Sequence, residues 1–162
     1  MDNPKTLFLD ACILVTAANS PEGGSARIIQ LAADKKVRLV ATKQVLQEAR
    51  KNIIDLLGKP LWIWFLRTIG SIVLLVVDEP TSKEESAWHK VTHEKDAHVL
   101  AGAIKAKADV LISLDRRHIL KPSVQKVFPI PFWMSFSEMI LSVRVSARML
   151  VARPPKSRHK KT

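Results

Sequence analysis

The feature that most limits how this chain can fold is an alternation of short, β-branched apolar runs with longer segments of helical spacing. Val37-Arg38-Leu39-Val40-Ala41, Ile72-Val73-Leu74-Leu75-Val76-Val77 and Val110-Leu111-Ile112-Ser113-Leu114 are each of strand length, and residues 5–10 read as an earlier strand. Strands alternating with helices imply a mostly parallel sheet covered on both faces. The expected fold is therefore α/β, with three layers, α/β/α, around a central and mostly parallel sheet. The run at 72–77 is uninterrupted, which is the pattern of a strand buried on both faces.

Helix signals fill the gaps. Ser20-Pro21-Glu22 combines an N-cap, a proline at the first helical position and an acid in the first turn, so a helix is expected from there to about residue 36. Thr42 caps a helix that ends near Gly58-Lys59-Pro60, and residues 62–69 form a short apolar helix. Thr81 and Glu84 are spaced as a capping box for a helix to about residue 92, and Asp96 opens another to about residue 107. Residues 127–133 contain Pro129 and Pro131, which confine that strand to a sheet edge. Ser135 and Glu138 repeat the capping-box spacing before a final helix to about residue 150.

A chain of 162 residues can bury one core but not two ordinary ones, so residues 1–150 are expected to form a single domain. Residues 151–162 form a basic tail without apolar periodicity, expected to be disordered. The apolar stretch 61–77 is broken by Arg67 and Gly70-Ser71, which favours a core helix and a buried strand over a membrane span. The single cysteine, Cys12, allows no internal disulfide, and the opening residues lack a signal-peptide pattern; both suit the cytoplasm. A net charge of +11 favours polyanionic partners, such as nucleic acid or acidic membrane surfaces, and nucleic acid is the expectation ahead of a merely solubilising role.

Four carboxylates stand where a carboxylate is costly without a task. Asp10 ends the run Thr6-Leu7-Phe8-Leu9, and Asp115 ends Val110-Leu111-Ile112-Ser113-Leu114. In parallel sheets, ligands collect beyond the carboxyl ends of the strands, where both acids fall. Asp96 projects between Leu100 and Ala103 on the inward stripe of its helix, at about 100° per residue. Glu48 flanks the stripe Val45, Ala49, Ile53, Leu56, and taken alone it reads equally well as a solvated residue. Clustered buried anions repel one another and lose hydration, and Mg²⁺ or Mn²⁺ resolves both costs because hard divalent ions prefer oxygen ligands. His98, about 200° around the helix from Asp96, reads as a surface residue beside Lys105. Asp78 and Glu79 read as a turn before Pro80, with Asp78 an outside candidate for the site, and Cys12 reads as a small buried hydrophobe. Phosphate-loop and dinucleotide glycine motifs are absent from the sequence.

The order and spacing of these pieces resemble the PIN-domain family. The likeness is carried by Leu7-Phe8-Leu9-Asp10, by Glu48 after the second strand, and by Asp96-Ala97-His98-Val99-Leu100-Ala101-Gly102-Ala103-Ile104 leading into Ala108-Asp109-Val110-Leu111-Ile112-Ser113-Leu114-Asp115. It implies that Asp10, Glu48, Asp96 and Asp115 bind one or two Mg²⁺ or Mn²⁺ ions and hydrolyse RNA phosphodiester bonds, with Ser113 where the family has Thr or Ser. It also implies a ribonuclease of the toxin type, with an RNA substrate, an antitoxin partner and a homodimeric state. Arg116, Arg117 and the basic tail would hold the RNA backbone, although the tail reads equally well as a solubilising segment. Cys12 departs from the family's Asn or Ser two residues after the first Asp. The competing expectation is a non-catalytic RNA-binding or partner-regulated module on the same fold; a phosphatase fits less well, because Asp10-Ala11-Cys12 lacks paired acids.

Overall fold

The computed structural model describes residues 3–72 and 74–133. The anticipated final helix and basic tail lie outside these residues. Five strands form one sheet in the order β3-β2-β1-β4-β5, and every neighbouring pair is parallel. They are β1 (Lys5–Leu9), β2 (Val37–Thr42), β3 (Leu74–Val77), β4 (Val110–Ile112) and β5 (Phe132–Trp133). The three-layer α/β/α expectation holds, because a parallel sheet needs helical crossovers that cover its faces.

The centre of the sheet is β1, where Leu7, Phe8 and Leu9 are fully buried. Chain order reverses beside it: β2 and β3 are laid to one side, then β4 and β5 to the other. The carboxyl ends of β1 and β4 therefore border a topological switch point, where such sheets open a crevice. Leu9 pairs with Ile112 in register, and the Asp10 N–H donates to the Ile112 carbonyl at 3.1 Å. That register brings residue 10 beside residue 113.

The helices are α1 (Ala11–Asn19), α2 (Gly24–Ala33), α3 (Lys43–Leu57), α4 (Lys59–Gly70), α5 (Ser82–Ser86), α6 (Ala97–Lys105) and α7 (Pro122–Gln125). Thr42 caps α3 as anticipated, its side chain accepting from the Val45 N–H at 3.3 Å. Thr81 and Glu84 form the anticipated capping box, but α5 stops at Ser86 and turns carry the chain on to Thr92. The strand expected over 127–133 is confined to β5, with Pro129 and Pro131 both before it, and among the described residues β5 is the outer strand on that side of the sheet.

Two further expectations fail. Ser20 does not open a helix: it closes α1, its N–H donating to the Thr16 carbonyl, and Pro21-Glu22 forms a turn before Gly23 caps α2. An almost wholly apolar segment, Ala11 to Ala18, is helical because it packs on all but a narrow side, so it offered no polar period to read. The run at 72–77 is not buried on both faces either. β3 is an edge strand, and its Leu75 and Val76 are 42% and 57% exposed. Among the described residues no helix is long and apolar enough to cross a membrane. In α4, Phe65 enters the core and Trp62 packs against it, while Ile63, Trp64 and Leu66 stay exposed.

Gly102 fixes how closely α6 approaches the sheet. A Cβ there would stand 2.9 Å from Phe8 Cζ and 3.2 Å from Thr42 Cγ2, so only glycine permits this contact. The close approach sets the N-terminal end of α6, and Asp96 with it, over the carboxyl ends of the central strands.

Candidate functional site

Asp10 follows the last residue of β1 and is 7% exposed. It occupies the N-cap position of α1 but makes no side-chain capping bond, so the capping explanation for this acid does not apply. Its Oδ2 instead accepts the Ser113 hydroxyl at 2.6 Å and the Cys12 thiol at 3.5 Å. Burial pushes the Asp10 carboxyl above its ordinary value of 3.8, against the lowering effect of the Ser113 and Cys12 hydrogen bonds, and the charge of Glu48 pushes it further up.

Ser113 follows β4 and is fully buried. Its hydroxyl donates to Asp10 while accepting the Asp115 backbone N–H at 3.0 Å, so it couples these two acids across neighbouring strand ends. Cys12 is more than a hydrophobe: its sulfur also accepts the Leu114 N–H at 3.3 Å. Its thiol is pushed up to about 12, chiefly by burial and then by the charge of Asp10, so it stays protonated and able to donate. The sulfur therefore keeps a hydrogen bond to the first acid at the position where the family commonly has Asn or Ser.

Asp115 opens a turn. Its Oδ1 accepts the backbone N–H groups of Arg117 at 2.9 Å and His118 at 3.0 Å, which leaves Oδ2 turned toward the His118 ring at 3.2 Å. Asp96 is the N-cap residue of α6 and likewise makes no capping bond. Its Oδ2 lies 3.3 Å from the same His118 Nδ1. Burial raises the Asp96 carboxyl above 3.8; His118 pulls it down, while Asp115 and Glu48 push it up.

Oxygens of Asp96 and Asp115 and the Nδ1 of His118 all lie within 4.8 Å of one another. Glu48, on α3, is about half exposed and faces Asp10 and Asp96 electrostatically; its Oε2 is 3.6 Å from His98 Nε2. Glu48, Asp96, His98 and His118 share an open cleft of about 730 Å³ whose rim includes Gln44, Lys51 and Lys95. Arg116 and Arg117 are exposed immediately after Asp115. Asp78 is exposed in the loop after β3, where the neighbouring Glu79 accepts the Gln44 N–H at 2.7 Å and ties that loop to α3.

His98 requires a correction. It is 2% exposed, not a surface residue beside Lys105. Helical angle separates His98 from Asp96, but every residue from Ala97 to Ala103 is buried, so α6 has no solvated face there for His98 to occupy. Its Nδ1 has no hydrogen-bond partner among the described residues, while Nε2 points at Glu48. His118 was not anticipated at all. The available signal was Asp115-Arg116-Arg117-His118 after a buried strand, which a turn can fold so that the imidazole meets its own carboxylate.

The donor set fits a hard divalent cation. Asp96 and Asp115, both part-buried, repel one another, burial raises the carboxyl of Asp10, and the charge of Glu48 bears on Asp10 and Asp96.

A family model described as the PIN domain matches residues 6–117, and the chain belongs to the PIN-domain family. No curated protein matches the sequence significantly. Among solved structures the chain is similar to VapBC2 from Rickettsia felis bound to a DNA fragment from their promoter, at 17% identity and a TM-score of 0.56, over 79% of this chain and 97% of that one. It is similar to PAE2754 from Pyrobaculum aerophilum at 16% identity and a TM-score of 0.56, over 86% and 96% of the two chains. The likeness to VapC20 of Mycobacterium tuberculosis, a toxin that cleaves the sarcin–ricin loop, has 18% identity and a TM-score of 0.52, over 75% and 95%.

Proposed function

We propose that this PIN domain is a divalent-metal-dependent endoribonuclease, the toxin member of a toxin–antitoxin pair acting in the cytoplasm. One observation carries the reading: acids distant in sequence meet at the switch point of the sheet, Asp96 and Asp115 on one imidazole and Asp10 on the serine that holds Asp115. Asp10, Asp96 and Asp115 hold the ion, Mg²⁺ or Mn²⁺, directly or through water. Bound there, it supplies a Lewis acid for a phosphoryl oxygen and lowers the pKa of a coordinated water toward about 7. Glu48, half exposed in the cleft, orients the attacking water and accepts its proton. Ser113 keeps Asp10 and Asp115 in a fixed relation, so the acids need no rearrangement to act together. Lys51 and Lys95 on the cleft rim, with Arg116 and Arg117, attract the phosphodiester backbone, with affinity that falls as salt rises.

An RNA substrate and an antitoxin partner are supported by the similar solved structures, one a toxin that cleaves the sarcin–ricin loop and another VapBC2 bound to a promoter DNA fragment. The exposed Ile63, Trp64 and Leu66 of α4 support a protein partner, an antitoxin or a second copy of the chain, because large apolar side chains grouped on one helix favour coverage. The test is cleavage of single-stranded RNA in Mn²⁺ by the parent and by the Asp10→Asn and Asp96→Asn variants. Cleavage by the parent, lowered at least about a hundredfold in each variant, is expected. Equal cleavage by all three would end the metal mechanism, and binding of RNA without turnover by the parent would favour the non-catalytic module.

A further inference from the structure

The contact between one imidazole nitrogen and two carboxylates is unusual chemistry for a merely structural histidine. His118 Nδ1 lies 3.2 Å from Asp115 Oδ2 and 3.3 Å from Asp96 Oδ2. A single ring nitrogen carries at most one proton, so it cannot donate a well-directed hydrogen bond to both anions. The spacing suits a shared ion better: donors about 2.1 Å from an octahedral ion sit about 3 Å from one another.

The imidazole is also held in place from several sides. Its own backbone N–H donates to Asp115 Oδ1 at 3.0 Å, and its carbonyl accepts the Thr92 hydroxyl at 2.7 Å. The His93 ring packs against it with centroids 5.3 Å apart. With Asp115 Oδ1 occupied by two backbone N–H groups, only Oδ2 is left to face the ring and Asp96. The three side chains are each between a quarter and two-fifths exposed, which gives an ion a path from the cleft.

From this arrangement we infer that His118 is a metal ligand, completing an Asp96–Asp115–His118 donor set that selects first-row transition ions, Mn²⁺ among them, over Mg²⁺. The inference rests on the nuclease reading of the same site and specifies its metal. An imidazole nitrogen is a borderline-soft donor that binds transition ions and adds little for Mg²⁺, whose preference is for carboxylate, carbonyl and water oxygen. Four carboxylates alone would carry a weaker bias.

The test uses the full chain loaded with Mn²⁺ and pulsed electron paramagnetic resonance, which detects a nitrogen bound directly to the ion. Calorimetric titration with Mn²⁺ and with Mg²⁺ accompanies it. The parent is expected to show a ligating-nitrogen coupling that disappears in His118→Gln. The variant is expected to lose at least about tenfold in Mn²⁺ affinity while Mg²⁺ affinity stays nearly constant. Tight Mn²⁺ binding by the parent without nitrogen coupling would overturn the assignment and leave the nuclease reading intact, and this result needs no variant to fold. Coupling that persists in His118→Gln would also overturn it, because another histidine would then be the ligand. A parent that binds neither ion would overturn both the assignment and the metal-dependent reading beneath it.

Discussion

Replacing Asp10 with Asn removes a charge but keeps an oxygen that can accept the Ser113 hydroxyl, so it separates the cost of the buried anion from the packing around it. In the metal-free protein two effects oppose. Hydrogen bonds to a charged acceptor are worth roughly 1.5–3 kcal/mol against about 0.5–1.5 kcal/mol for a neutral one, which favours Asp. Burial and the charge of Glu48 disfavour the ionised form. Burial is the largest influence on this carboxyl and raises its pKa, so the fold disfavours the ionised form more than the unfolded chain does. Asp10→Asn is therefore expected to melt at or above the parent in EDTA at pH 7. With Mn²⁺ the order reverses. An ion at a hundred times its dissociation constant stabilises by about 2.7 kcal/mol. At about 2–4 °C per kcal/mol for a chain of this size, the parent should gain roughly 5–11 °C, and the variant little or none. Thermal unfolding across a Mn²⁺ series measures both quantities. A variant that melts well below the parent in EDTA and yet keeps the full Mn²⁺ increment would refute the reasoning, because Asp10 would then be a structural hydrogen-bond acceptor rather than a held anion.

Ser113→Ala removes the donor to Asp10 and the acceptor of the Asp115 N–H, so chemical denaturation should show a loss of about 1.5–3 kcal/mol; unchanged stability would contradict the coupling described for this residue. Gly102→Ala places a methyl group 2.9 Å from the Phe8 ring, and the denaturation midpoint should report a loss of about 1–3 kcal/mol. Asp10 and Asp96 both have native pKa values raised above 3.8. The folded state therefore binds more protons than the unfolded state in the window above 3.8, and metal-free stability falls as pH rises through it, by at most about 1.4 kcal/mol per pH unit for each group. Mn²⁺ affinity should strengthen across the same window, because the ligands must be deprotonated; a metal affinity that does not change there would place the ion elsewhere.

Several local signals complete within a few residues are legible in the sequence, although Ser20-Pro21-Glu22, which has the form of a helix start, closes α1 and turns instead. The Thr42 cap and the Thr81–Glu84 capping box are of this kind. Signals that depend on what lies opposite did not transfer. Ile72-Val73-Leu74-Leu75-Val76-Val77 has the composition of a central strand, yet β3 falls at an edge because strand order is set by the whole topology. His98 was misplaced because a helical period assumes a wet side, and α6 is enclosed on every side through Ala103. Asp10 and Asp96 were singled out by position at element ends, and the structure adds that neither side chain serves as a cap. The role of His118 is not legible in the sequence because its partner Asp96 lies on a different element, and no spacing along the chain encodes that meeting.

Diffraction from crystals soaked in Mn²⁺, recorded where manganese scatters anomalously, bears on the central claim most directly. A single strong anomalous peak, or a close pair, is expected in the cleft against the carboxylates of Asp96 and Asp115 and on the side of Asp10. A peak bound only elsewhere on the surface, or none at saturating Mn²⁺ with the cleft open to solvent, would contradict the account.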